Sequence, residues 1–254
     1  MGAGHGHRWF VHGHSPVHEL APEAKVAATV LFVLAVVVTP REAFWAFGLY
    51  VAIIVAVALV AAVPLGRLAR RLVIELPFLA FAFFLPFIGG GERVQVGFLS
   101  LSVAGLWGAW NILIKGTLGV AATALLGATT TVPELLRGLE RLHMPKPIVA
   151  ITSFMVRYGD VITDDMRRMK VARESRGYDP RWLWQVRAVA TSAGALFIRS
   201  YERGERVYVA MLSRGYDGAL PDLRTAPAPR RDWLAALVVP ATAGAICIAA
   251  LVTA

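Results

Sequence analysis

Residues 174–180 read Glu-Ser-Arg-Gly-Tyr-Asp-Pro, and residues 212–218 read Leu-Ser-Arg-Gly-Tyr-Asp-Gly. The offset between them is 38, and at that offset 8 of the 13 positions from Arg167 to Asp179 are identical to those from Glu205 to Asp217. A repeated unit points to repeated use. The chemistry in each copy is recognition. A guanidinium offers five donors in a rigid fork that matches carboxylates, so Arg176 and Arg214 each suit an acidic receptor. Tyr178 and Tyr216 add rings with an apolar body and a polar tip, suited to anchoring at an interface. Gly177 and Gly215 fall where a helix ends in a left-handed residue. Ser175-Arg176-Gly177 and Ser213-Arg214-Gly215 are therefore two candidate docking tips, with Tyr178, Asp179, Tyr216 and Asp217 as supporting contacts.

Bond-making chemistry has a weaker foothold. Asp160, Asp164 and Asp165 lie within two helical turns, and aspartate clusters hold Mg²⁺–diphosphate in membrane prenyl- and phospho-transferases. Such an enzyme needs a second cluster on a facing helix. Asp179 and Asp217 follow Gly-Tyr at helix ends and Asp222 is isolated, so none forms. The simpler role for the trio is charge balance with Arg167 and Arg168. No G-x-x-x-x-G-K-[ST] phosphate loop occurs, so the chain is not expected to be its own ATPase. His5, His7, His12, His14 and His18 crowd together near the start of the chain. Imidazole suits Co, Ni and Zn, but the expectation is a solvated tail with no defined metal site. The single cysteine, Cys247, excludes an internal disulfide and is expected to be a buried thiol.

The elements that must carry these tips are membrane helices and their extensions. The 254 residues are 57% hydrophobic and only 17% charged, with a mean hydropathy of +0.58. Soluble domains carry about 25% charged residues, so a disordered chain is excluded and a soluble enzyme disfavoured. The net charge of +9 is compatible with nucleic acid or a membrane surface; the hydropathy selects the membrane, and no nucleic-acid partner is expected. The stretch from Met1 to Leu20 lacks an apolar run, so no cleavable signal peptide is expected. A spanning helix needs about 20 apolar residues. Candidate spans are 26–38, 43–63, 72–88, about 106–132, and 233 to the C-terminus. Two shorter apolar pieces, 148–156 and 188–198, are either half-helices or parts of longer helices. Glu75, Asn111 and Lys115 lie in or beside spans, as interfacial groups or as contacts to another membrane subunit.

The basic run around Arg67, Arg70 and Arg71 should face the cytoplasm. That orientation puts the N-terminus inside and the turn at 39–42 outside. Residues 134–231 hold 18 of the 26 basic and 11 of the 17 acidic residues, a net of +7. The expected organisation is a His-rich N-terminal tail (1–24), transmembrane helices (25–132), a cytoplasmic region of long amphipathic helices (133–231) and a C-terminal transmembrane helix (232–254). The fold class is all-α, a polytopic helical membrane protein. The side on which the C-terminus ends stays open.

At the paired motifs the chain resembles the transmembrane T component of energy-coupling factor transporters, most of all the CbiQ-type cobalt-transport member. The lead-in from His14 to Lys25 and the order of the spans are also similar. That family ends two long cytoplasmic helices in X-Arg-Gly, usually Ala-Arg-Gly; Ser175 and Ser213 depart from it conservatively. The resemblance implies a non-enzymatic subunit whose two tips dock on two ATP-binding cassette subunits. It implies that ATP-driven motion passes through this chain to a separate substrate-binding membrane subunit, with cobalt or nickel as cargo. ATP is then bound by the partners, and the chain itself needs no cofactor. The setting implied is the prokaryotic cell membrane. The alternative is the Mg²⁺-dependent transferase built on Asp160, Asp164 and Asp165.

Overall fold

The computed structural model describes residue 13 and residues 15–90, 93–96, 99–178, 186–218 and 228–253. Contacts divide the chain into two compact units. The first contains a short turn of helix, α1 (Pro16–Glu19), then α2 (Pro22–Val38), α3 (Phe44–Val60), α4 (Leu65–Arg71), α5 (Leu76–Ile88), α6 (Val103–Thr129), α7 (Val132–Arg141) and α10 (Arg230–Thr253). The second contains α8 (Lys146–Glu174) and α9 (Val186–Leu212). The protein is an all-α membrane protein, its described strand confined to a hairpin of β1 (Arg93–Val96) and β2 (Leu99–Ser102). That antiparallel hairpin, with Arg93 opposite Ser102, occupies part of the connection between the spans expected at 72–88 and about 106–132.

Three helical stretches are long and apolar enough to cross a bilayer: Leu65–Ile88 (24 residues), Val103–Thr129 (27) and Arg230–Thr253 (24). The first begins well before the expected start at Leu72, because α4 runs on through a 3₁₀ turn at Leu72–Glu75 into α5. The turn tightens just ahead of Pro77, whose ring cannot donate back into the preceding turn. The expected spans at 26–38 and 43–63 form helices of 17 residues each, α2 and α3. At 1.5 Å per residue that is about 26 Å, somewhat short of the hydrocarbon thickness.

The first unit packs through small residues. On α10 the buried positions from Ala236 onward are Ala236, Pro240, Ala243, Cys247 and Ala250, alternating four and three residues apart, which draws one seam down the helix. Ala at most of them lets backbones approach closely, the packing that works in lipid. Phe32 and Val36 of α2, Phe47, Tyr50 and Ile54 of α3, and Leu118, Ala121 and Ala122 of α6 complete the core. Thr39 donates to the Ala35 carbonyl at 2.8 Å and lies 2.8 Å from the Tyr50 hydroxyl, so the polar end of a buried ring is satisfied. Cys247 is a buried free thiol.

The fourth expected span stops at Thr129 because a new helix begins. Thr131 and Glu134 form a reciprocal capping box at the start of α7, the S/T-x-x-E pattern that satisfies two otherwise orphaned amides. Lys25 closes the end of α6 from the other side, donating to the carbonyls of Thr129 (3.0 Å) and His18 (3.1 Å).

Candidate docking site

The apolar pieces at 148–156 and 188–198 are parts of longer helices. α8 has 29 residues and α9 has 27, about 44 and 41 Å of rod. Both are amphipathic, and their charged residues punctuate a stripe that includes Phe154, Tyr158 and Ile162 on α8 and Val207, Tyr208 and Met211 on α9. Those residues line a cleft of about 390 Å³ between the two helices, with Tyr216 at its edge. Farther along, the Arg203 guanidinium donates to the Asp165 carboxylate at 2.9 Å, and Arg173 donates to the Ser192 hydroxyl at 3.3 Å. From Asp165 to Arg173 the chain of α8 advances while its partners on α9 run back from Arg203 to Ser192. The helices are antiparallel, and Arg176 and Arg214 mark opposite ends of the pair.

Each tip is built the same way. Gly177 has φ +77° and Gly215 has φ +82°, the left-handed region where a side chain would be strained. Gly177 donates its amide to the Glu174 carbonyl at 2.9 Å, and Tyr178 donates to Arg173 at 3.2 Å. Gly215 donates to Leu212 at 3.0 Å, and Tyr216 to Met211 at 3.0 Å. This pairing is a Schellman cap, which satisfies carbonyls left over at a helix end. The serines are matched as well: Ser175 donates to the Ala172 carbonyl and Ser213 to the Ala210 carbonyl, both at 3.0 Å. Serine in place of alanine therefore keeps its hydroxyl within its own helix and leaves the arginine face unaltered.

Arg176 and Arg214 are exposed, and neither guanidinium makes a hydrogen bond or ion pair among the described residues. Each is the last residue before the left-handed glycine, where the negative end of the helix dipole favours a cation. Tyr178 and Tyr216 are half-buried beside them, and Asp217 is exposed. Asp179 lies outside the described residues, as do His5, His7, His12, His14 and Asp222. Such a tip can present a forked, charged donor to an acidic groove.

The aspartate trio is partly committed elsewhere. Asp165 holds Arg203, and Asp164 sits 3.6 Å from Arg167 one turn on. No group of three or more metal-ligating side chains converges among the described residues. In the first unit, Glu75 is buried and accepts from the Thr117 hydroxyl at 3.0 Å. Lys115 donates to the Val37 carbonyl at 2.7 Å. Sequence reasoning missed the partnership of Arg203 with Asp165, although the repeat offset of 38 that separates them was a signal for it.

Similarity to known proteins agrees with this architecture. The family model CbiQ, described as cobalt transport protein, matches residues 13–225. The energy-coupling factor transporter transmembrane protein EcfT of Thermanaerovibrio acidaminovorans is 30% identical over 243 residues, 89% of each chain. EcfT of Listeria innocua is 26% identical over 225 residues, 82% of this chain and 83% of that one. A protein named as a fused cobalt transport protein, CbiMQ, of Methanocorpusculum labreanum is 30% identical over 135 residues, 52% of this chain and 22% of the fusion. The chain belongs to the CbiQ family and is a transmembrane T component of the energy-coupling factor transporters, a transporter subunit rather than an enzyme.

Proposed function

We propose that this chain is the mechanical link of a metal importer, with cobalt or nickel as its cargo. The Ser175-Arg176-Gly177 and Ser213-Arg214-Gly215 tips dock on two ATP-binding cassette subunits, supported by Tyr178, Asp179, Tyr216 and Asp217. Closure of the ATPases around ATP moves the tips, and the α8–α9 pair passes the motion to a separate substrate-binding membrane subunit. The observation that carries this reading is the equivalence of the two caps: two copies of one exposed arginine on one backbone geometry suit two copies of one receptor. The basic excess over residues 134–231 fits the cytoplasmic side of a multi-pass protein in the cell membrane, where ATP is available.

The test is retention of the ATPase subunits in mild detergent. Arg176→Ala and Arg214→Ala should each reduce co-purification of the ATPases and ATP-driven Co²⁺ uptake in proteoliposomes, and the double variant should abolish both. Truncating one partner of a hydrogen-bonded charge pair at an interface costs about 2–5 kcal/mol, enough to weaken assembly at least tenfold. A double variant that keeps a full complement of ATPases and normal uptake would remove the proposal.

A further inference from the structure

The ion pair between α8 and α9 has a symmetry of its own. Asp165 and Arg203 are separated by 38 positions, the same offset that relates Arg176 to Arg214 and Gly177 to Gly215. They therefore occupy equivalent positions in the two copies of the repeat. A pseudo-two-fold axis that exchanges α8 with α9 must pass between such a pair, and the contact maps onto itself.

A second contact obeys the same operation. Arg173 on α8 meets Ser192 on α9. Their repeat equivalents are Met211 on α9 and Phe154 on α8, and those two residues line one cleft on the other side of the ion pair. The crossing is thus symmetric in position, while its chemistry differs on the two sides. At the centre the repeat has diverged to opposite charges. Two identical charges on the axis would repel; an aspartate facing an arginine attracts. The two side chains are 20% and 32% exposed, so the pair is less screened than a surface bridge.

We infer that Asp165 and Arg203 form the pivot that fixes the crossing of the two helices, and so the spacing of the two arginine tips. The step along the chain from Asp165 to Arg176 equals the step from Arg203 to Arg214. The arms are therefore equal, each about 17 Å at the helical rise. A rotation of about 20° around the pivot, the normal scatter of helix crossings, swings a tip by about 6 Å. That is wider than a hydrogen bond, so a slack pivot would leave at most one tip in register with paired receptor sites. Both residues are positioning residues that touch no partner in this role. The consequence for transport rests on the docking function proposed above; the geometry of the pivot does not.

The test measures the crossing directly in the full-length chain in nanodiscs, without ATPase subunits. Spin labels go on Glu174→Cys, beside one tip, and Ala193→Cys, on the stretch of α9 that runs back past it, both exposed positions, in a Cys247→Ala background. Asp165→Arg and Arg203→Asp should each shift the mean label-to-label distance by several ångströms or widen its distribution, with helicity retained. The exchange of both residues should restore the wild-type distance. Asp165→Asn gives the same readout, smaller in size, where the reversal impairs folding. An unchanged distance in the folded single variants would overturn the inference, as would a double exchange that stays displaced. Arg176→Ala with Arg214→Ala should leave this distance unchanged while releasing the ATPases. Failure of the docking function and failure of the pivot are thereby read separately.

Discussion

Gly105 of α6 lies against the backbone of α5: a Cβ on Gly105 would come within 2.8 Å of the Pro86 Cα and closer still to the Leu85 carbonyl oxygen. Neither is the movable end of a side chain, so the helices would have to part. Gly105→Ala should therefore cost about 1–3 kcal/mol, the range for overpacking. Gly119 on the same helix has no atom within 4 Å of an added Cβ, and Gly119→Ala should be neutral or gain up to about 1 kcal/mol from helix propensity. Thermal unfolding of the two variants in detergent separates them; equal midpoints would refute the close approach of α5 and α6.

Lys25 is only 7% exposed and spends its ammonium on two carbonyls, those of Thr129 and His18. It ties the end of α6 to the segment preceding α2. Lys25→Met keeps the length of the side chain and removes the donor, leaving two carbonyls short of a partner. The expected loss is about 1–3 kcal/mol. Proteolysis should become faster near Thr130 and Thr131, where α6 gives way to α7, and limited digestion followed by mass spectrometry reads this directly.

Much of this arrangement follows from short-range signals. The glycine that ends each helix is a local requirement of the backbone, so Gly177 and Gly215 mark the tips without knowledge of the fold. Hydropathy locates α5, α6 and α10 because lipid imposes a length on them. The charged residues that divide α8 and α9 break their apolar pieces into fragments too short to read as helices of 29 and 27 residues. The start of α7 is hidden differently. Thr129, Thr130 and Thr131 are apolar enough to prolong a span, and only the Thr131–Glu134 spacing reveals a cap. The pairing of Asp165 with Arg203 is long-range. Periodicity assigns a residue to a face, but the partner on another helix is set by packing.

Glu134 gives the capping box a pH dependence. Burial pushes its carboxyl upward, but the amide and hydroxyl of Thr131 and the charges of Lys25 and Arg137 outweigh this and hold it below the ordinary carboxylate range. A carboxyl with a depressed folded-state pKa contributes stability that is fully present above its unfolded value, about 4.3, and is lost as pH falls through the folded value. The melting temperature of the wild-type chain should fall as pH is lowered below about 4.3. Glu134→Gln should be less stable at neutral pH and should lose part of that fall. A variant whose pH profile runs parallel to the wild type would show that the cap does not depend on the charge.

The two caps make the final prediction, which concerns shape rather than charge. Gly177 and Gly215 hold positive φ, +77° and +82°, with no atom within 4 Å of an added Cβ, so a substitution there meets strain and no clash. Alanine in the left-handed region costs about 1–2 kcal/mol, whereas asparagine tolerates it better. Gly177→Ala and Gly215→Ala should fray the last turn, release the amides of Tyr178 and Tyr216 from their carbonyls, and displace the neighbouring arginines. Retention of ATPase subunits should fall in the order wild type, asparagine, alanine, although every variant keeps Arg176 and Arg214. Equal retention across the three would mean that the guanidinium alone is recognised, whatever the backbone beneath it.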